Sequence, residues 1–260
     1  MKQFKTHRVV GANPNRNGKD MFVGDIHGRY ERLMKQLDRI GFDKSKDRLF
    51  CCGDLVNRFD ENIESARLLL EPWFFSTLGN HEFLLLQATR KKATRDDVAR
   101  HIKKGGDWAH NTVETPITPT PEGIEARDLV KKYACGLMTV ETENGNIGVI
   151  HADAPSVWPK KAGKVSKIDL EHFFDRSKFI ESQKFGLNAS PHIVTGVDAV
   201  VHGHNPNENV VQNGNRFWID TAAYGPFTIL ESSEIIEMAK EQLHNQLIRQ
   251  PSKKLNAWLS

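Results

Sequence analysis

Five short apolar runs in this sequence each stop at a side chain that can hold a metal ion. MFVGD (21–25) ends at Asp25, with His27 two residues on, and RLFCCGD (48–54) ends at Asp54. FFSTLGN (74–80) ends at Asn80, IGVIHAD (147–153) carries His151, and AVVHGH (199–204) ends at His204. Glycine stands immediately before the polar residue four times, as Gly24, Gly53, Gly79 and Gly203. A glycine permits tight turns and close backbone approach, which a crowded metal site requires. Asp25 and His27 can converge on one cation if the turn after the first run curls inward. Asp54 could bridge two cations through its two carboxylate oxygens, with Asn80, His151 and His204 completing the second position. This mixed donor set suits Mn²⁺, Fe²⁺ or Zn²⁺ better than Ca²⁺, and it needs no thiolate. Two cations about 3.5–4 Å apart can bind one hydroxide and polarise one phosphoryl group. Two carboxylates facing two dications leave the site net positive, which favours a phosphate dianion. Any one of these histidines alone would read as a structural histidine. Five such endings together point to a dinuclear phosphoesterase centre.

The elements that must carry these residues are legible around them. The five runs have strand length, and ligands in open α/β sheets gather beyond the carboxyl ends of strands. YERLMKQLDRI (30–40) predicts a helix with Leu33, Leu37 and Ile40 on one face. NIESARLLLEPW (62–73) predicts a second, ended near Pro72, and 81–104 predicts one or two more. Strand–helix–strand alternation argues for an α/β architecture. TVETPITPTPEG (112–123) should be an extended loop, with Thr120 as N-cap and Pro121 as first residue of the next helix. In 231–250, Ile236, Ala239, Leu243 and Leu247 form a helical stripe expected to dock on the core, with an oligomer contact as the lesser option.

Composition only bounds the answer. The chain has 260 residues, 38% hydrophobic and 27% charged, with a formal net charge of +3. That bias gives no case for nucleic acid as a partner. The first residues lack the apolar core of a secretory signal, and no apolar run approaches the roughly 20 residues a bilayer needs. Cys51, Cys52 and Cys135 have no metal-knuckle spacing and read as buried thiols of a reducing cytoplasm. The expectation is a cytoplasmic protein with no membrane partner.

In order along the chain stand GDIHG (24–28), GDLVNR (53–58), GNHE (79–82), HAD (151–153) and GH (203–204). These blocks resemble the phosphoprotein phosphatase family of metallophosphoesterases. Within it the chain is most similar to the branch of the bacteriophage lambda phosphatase and its bacterial relatives. That similarity rests on ENxE at 61–64, Gly105-Gly106-Asp107-Trp108, the HADxP form at 151–155 and Ile219-Asp220-Thr221. The resemblance spans about residues 20–231. It implies an α/β two-sheet sandwich flanked by helices, the calcineurin-like metallophosphoesterase fold. Residues 1–20 would form a strand and loop lead-in, 21–231 the domain, and 232–260 a C-terminal helix and tail packed on it or extending from it. It also implies two divalent cations, taken as Mn²⁺ with Fe²⁺ or Zn²⁺ as options. One would bind Asp25, His27 and Asp54, the other Asp54, Asn80, His151 and His204. His81 is implied as general acid and Arg58 as phosphate clamp, with Arg176 in FFDRSKF as the second phosphate arginine. The implied activity is one-step hydrolysis of phosphate monoesters by a metal-bound hydroxide. Its substrates would be phosphoproteins, phosphoserine and phosphothreonine above all, or phosphorylated small molecules.

Two departures open alternatives. The family pattern has Asp at position 57, pairing with the GNHE histidine, and Gly at 59, where this chain has Asn57 and Phe59. An amide cannot stabilise an imidazolium by charge. Asn at 57 resembles the symmetrical diadenosine tetraphosphate hydrolases, a sister branch of nucleotide pyrophosphohydrolases, although those usually read GNHD. The other alternative is a phosphoprotein-binding pseudophosphatase, against which stands the retention of all six ligand positions. His202 is read as an inner-strand neighbour of the site and not a ligand.

Overall fold

In the computed structural model the described residues are 7–15, 17–113, 117–163, 171–185 and 191–249. Strands β2 (Asp20–Val23), β3 (Arg48–Cys51) and β4 (Phe74–Ser76) lie parallel, and β12 (Ile229–Glu231) pairs antiparallel to β2. The second sheet has six strands. Its order is β1 (His7–Val10), β7 (Leu137–Thr142), β8 (Gly145–Ile150), β9 (Ala199–His202), β11 (Arg216–Trp218) and β10 (Val211–Asn213).

Alternation along the strands decides what each face meets. Phe22 and Phe50 point into the space between the sheets, where they join Met138, Val140, Val149, Val201 and Phe217. Phe22 stacks on Phe50 at 5.2 Å, and Phe50 on Phe75 at 5.1 Å. Met21, Val23, Leu49 and Cys51 face the other way, onto a helical layer. That layer is α1 (Tyr30–Arg39), α2 (Asn62–Arg67), α3 (Asn80–Ala88), α4 (Arg95–Lys103) and α5 (Pro121–Tyr133). Trp158 and Val194 cover the outer face of the larger sheet. The α/β two-sheet sandwich inferred from the sequence is therefore the fold observed.

Local expectations hold with three differences. Leu33 and Leu37 are buried on α1, but Ile40 caps the helix beyond its last turn and is 45% exposed. The stretch 112–123 is not all loop: His110–Asn111 (β5) pairs with Thr118–Pro119 (β6). Arg67 ends α2 five residues before Pro72, and Leu68–Leu70 continue as a 3-10 turn. Thr120 caps α5 through a 3.0 Å bond from Gly123 N, with Pro121 as its first residue. The C-terminal helix (Ser232–Arg249) buries Ile235, Ile236 and Ala239 in the inter-sheet core. Leu243 is half-buried, and the Leu247 side chain lies outside the described set. All three cysteines are buried.

Candidate metal centre

Asp25, Asp54, Asn80, His151 and His204 follow the carboxyl ends of β2, β3, β4, β8 and β9, so parallel pairing within each sheet brings them to one edge. All six predicted ligands are at least nine-tenths buried. The loops that bring them together are tightly wound. Among the described residues, the non-glycine residues with positive φ are His27, Asp54, Asn57, Arg58 and His204. Every one is a predicted site residue. Such conformations are costly for residues with a Cβ and persist only where surrounding contacts enforce them. Two glycines make room for the carboxylates. A Cβ on Gly79 would lie 2.1 Å from Asp54 Oδ1, and one on Gly203 would lie 2.1 Å from Asp25 Oδ1.

The donor atoms crowd together, and among those measured only His151 and Asn80 lie within hydrogen-bonding distance. His27 Nε2 is 3.6 Å from Asp25 Oδ2 and 3.7 Å from Asp54 Oδ2. His151 Nε2 is 3.4 Å from Asp54 Oδ2 and 3.0 Å from Asn80 Oδ1. Two donors each about 2.1 Å from one cation stand roughly 3–3.5 Å apart, close to this spacing. Two triads emerge, His27 with Asp54 and His81, and Asp54 with His151 and His204, their donor atoms within 4.8 Å of one another. Asp54 belongs to both, as a bridging carboxylate must. The His151 Nδ1–H donates to Cys52 O at 2.9 Å, which leaves its Nε2 lone pair toward Asp54. His27 Nε2 is buried with no protein partner. These donors fit two divalent cations.

Taken by themselves, the donors are in electrostatic conflict. Asp54, His27 and His204 lean toward their ligand forms, whereas burial holds Asp25 toward its neutral acid and Asp54, against burial, raises His151. Burial pushes the Asp25 carboxyl well up, reinforced by Asp220 and Asp54. Burial acts the same way on Asp54, but His151, His81 and His27 together outweigh it and hold it well below the usual range. Burial pulls His27 far down and His204 to about 2, His151 adding to the latter. Metal coordination needs ionised carboxylates and neutral imidazoles. Carboxylates crowded in this way are relieved by cations.

His81 sits on the first turn of α3, its Nε2 3.8 Å from Asp54 Oδ2. Its backbone N–H donates to Asp54 Oδ1 at 2.8 Å. Asn57 contacts its Nδ1 at 2.9 Å through Nδ2. Trp108 Nε1 lies 2.9 Å from the other amide atom, Oδ1, and an indole N–H can only donate. Trp108 therefore fixes the amide orientation, and His101 Nε2 supports it at 3.2 Å. Nδ2 then donates to His81 Nδ1, which places the proton of neutral His81 on Nε2, facing the cluster. Burial lowers His81 to about 4 against the opposing pull of Asp54.

Arg58 is exposed at the rim, and its charge is felt by Asp25, His27 and His81. Arg176 lies beside His204, donating to Asn205 Oδ1 at 3.1 Å and lowering His204 by its charge. His202 is buried on β9 and stacks on Trp218 at 5.1 Å, apart from both triads.

Several organising residues had no role in the sequence reading. Glu82 accepts N–H groups from Asp54 at 2.7 Å, Leu55 at 2.8 Å, Val56 at 3.3 Å and Gly79 at 2.9 Å, tying β3's loop to α3. Asn62 Oδ1 accepts from Asn57 N at 2.5 Å, while its Nδ2 donates to Phe59 O at 2.6 Å. Asp220, on the strand quoted for the resemblance, is buried beside Asp25 with Oδ2 lacking a protein partner. Their signal was present in GNHE, ENxE, Gly-Gly-x-Trp and Ile-Asp-Thr, but a motif does not say which atom meets which.

Comparison with known proteins adds four findings. Serine/threonine-protein phosphatase 2 of Escherichia coli (strain K12) is 32% identical over 203 residues, covering 77% of this chain and 86% of that protein. A symmetrical bis(5'-nucleosyl)-tetraphosphatase of Pseudomonas fluorescens (strain SBW25) is 33% identical over 151 residues, covering 57% of this chain and 48% of that one. A crystal structure provisionally described as a diadenosine tetraphosphatase shares the fold. It matches at TM-score 0.56 and 17% identity, over 88% of this chain and 98% of the other. The sequence model of the calcineurin-like phosphoesterases matches residues 21–208, a span that contains every ligand position above. With that match and a donor cluster built for two cations, the chain belongs to the calcineurin-like phosphoesterase family.

Proposed function

We propose that this protein hydrolyses phosphate monoesters, with phosphoserine and phosphothreonine residues of proteins as its substrates and Mn²⁺ as its cation. The observation that carries the reading is Asp54, shared by two triads of donor atoms at the carboxyl edge of both sheets. The likeness to the Escherichia coli phosphatase over 86% of that protein's length supports the substrate class. Cations held by Asp25, His27, Asp54, Asn80, His151 and His204 would supply Lewis acidity and lower the pKa of the attacking water.

The remaining work falls to side chains. Arg58, whose charge is felt by His27 and His81, and Arg176, beside His204, would hold phosphoryl oxygens, a task suited to the planar guanidinium. The positive end of α3 points at the same place. His81 would offer its Nε2–H to the leaving-group oxygen. Asn57 and Trp108 hold that tautomer, and Glu82 holds the loop that carries Asp54.

Full proton transfer from a neutral imidazole is unfavourable, so this arrangement handles good leaving groups more readily than serine alkoxide. That observation, with the likeness to the tetraphosphatase, is what favours the second reading, a nucleotide pyrophosphohydrolase. Purified protein with Mn²⁺, assayed in parallel on p-nitrophenyl phosphate, a phosphoserine peptide and diadenosine tetraphosphate, separates the two. The proposal expects turnover of the first two substrates. Turnover of diadenosine tetraphosphate with the peptide inert would overturn it.

A further inference from the structure

A run of cations leaves the metal centre along α1. Arg29 stands at the start of that helix, and Arg32, Lys35 and Arg39 follow at helical spacing. With Phe59 they line an open groove of about 680 Å³. The groove begins at the site loops, because Gly28 follows His27 and Phe59 follows Arg58, and all four cations line it. Phe59, where the family pattern has glycine, is 49% exposed. The buried Arg29 guanidinium lies 4.8 Å from its ring centroid, so the aromatic floor and the first cation form one unit.

Four cations line this groove against three carboxylates, and of the four only Lys35 is paired with one of them. Arg29 donates to Ile26 O at 2.9 Å and Ala222 O at 2.5 Å, and Arg32 to Ala222 O at 3.3 Å and to Gly225 O. Those partners are carbonyls. Among the described residues no carboxylate forms an ion pair with Arg29, Arg32 or Arg39. Burial, with Arg32's charge next, pulls Arg29 down to about 10, against the opposing pull of Asp220 and Asp25. Three acids share the rim. Glu31 is paired with Lys35 at 2.8 Å, Glu61 accepts the Glu31 N–H at 3.0 Å, and Asp60 is exposed.

Length also fits a peptide. The 10 residues of α1 span about 15 Å, which an extended chain covers in four or five residues. A phosphorylated residue seated at Arg58 would lay its neighbours along these cations. We propose that the α1 groove is a substrate-docking subsite for acidic residues that flank the phosphorylated residue of a protein substrate. This rests on the phosphoprotein reading above. A lysine-rich flank would meet the unpaired guanidinium groups of Arg29, Arg32 and Arg39, whereas glutamates would give those three the carboxylate partners they lack.

The test uses full-length protein with Mn²⁺ and three phosphoserine peptides of equal length, flanked by glutamate, alanine or lysine. The glutamate peptide should exceed the alanine peptide about tenfold in kcat/KM, through KM, and the gap should shrink as salt rises. Lys35→Glu combined with Arg39→Glu, both exposed positions, should shift the preference toward the lysine peptide. Activity on p-nitrophenyl phosphate reports separately that the centre is intact. Equal kcat/KM for the three peptides, or a glutamate preference that survives the charge reversal, would overturn the docking role. If p-nitrophenyl phosphate is hydrolysed and no peptide is, the phosphoprotein reading falls and the groove's role falls with it.

Discussion

Asn57 is the residue at which this chain departs most from the pattern it resembles, and its surroundings show what the departure does. Trp108 and His101 both present N–H groups to Oδ1, a cage that would serve a carboxylate equally well. Asn57→Asp would therefore fit the same contacts while giving His81 an anionic partner. An imidazolium stabilised in this way has a higher pKa, so its acid form persists to higher pH and the basic limb of the pH profile moves upward. The Asp variant should raise kcat on a phosphoserine peptide more than on p-nitrophenyl phosphate, whose leaving group needs little protonation. General acid catalysis contributes about 10²–10⁴-fold, so even partial restoration is measurable. An equal or falling response on both substrates would remove the impaired-acid account. The two arginines separate by a different readout. Arg58→Ala and Arg176→Ala should each lower kcat/KM and weaken inhibition by free phosphate together. If Arg176→Ala changes neither, its bond to Asn205 is its whole role.

At the scale of the elements, the site depends on the space left for loops and on one carboxylate that pins them. Gly79 has an ordinary backbone conformation, with φ −99°, so Gly79→Ala adds no backbone strain; its Cβ collides with Asp54 Oδ1 instead. The variant should keep its circular dichroism spectrum and lose about 10–100-fold in Mn²⁺ affinity by calorimetry, as when a ligand's support is removed. Glu82→Gln puts an NH₂ group among four backbone donors. An unmatched buried group costs about 1–3 kcal/mol, readable as a lower urea midpoint. Strand ends, the cap at Thr120 and the helix over 30–39 were legible because each follows from local spacing. Ile40 was misplaced because periodicity does not show where a helix stops. The β5–β6 ladder was hidden because proline and threonine mark a loop without showing that its ends pair.

For the molecule as a whole, Phe22, Phe50 and Phe75 stack across neighbouring strands of the four-stranded sheet and share one core with Met138, Val140, Val149, Val201 and Phe217 of the other. Phe50→Ala should cost about 3–5 kcal/mol of global stability by denaturant unfolding. The six proposed ligand positions could be picked out from sequence because five lie at the ends of apolar runs and His27 stands two residues beyond the first of them. The network of Glu82, Asn62, Trp108 and His101 could not, because its bonds join residues up to 51 positions apart. The central claim is that Asp54 is shared by two cations. Chelator-treated protein titrated with Mn²⁺ and followed by electron paramagnetic resonance tests it directly. Two Mn²⁺ per chain should bind, with a spin-coupled signal. Asp54→Asn should abolish that signal and lower turnover by on the order of 10³-fold, while the chain stays folded. A single Mn²⁺ per chain, or a coupled signal and near-normal activity in Asp54→Asn, would contradict the account.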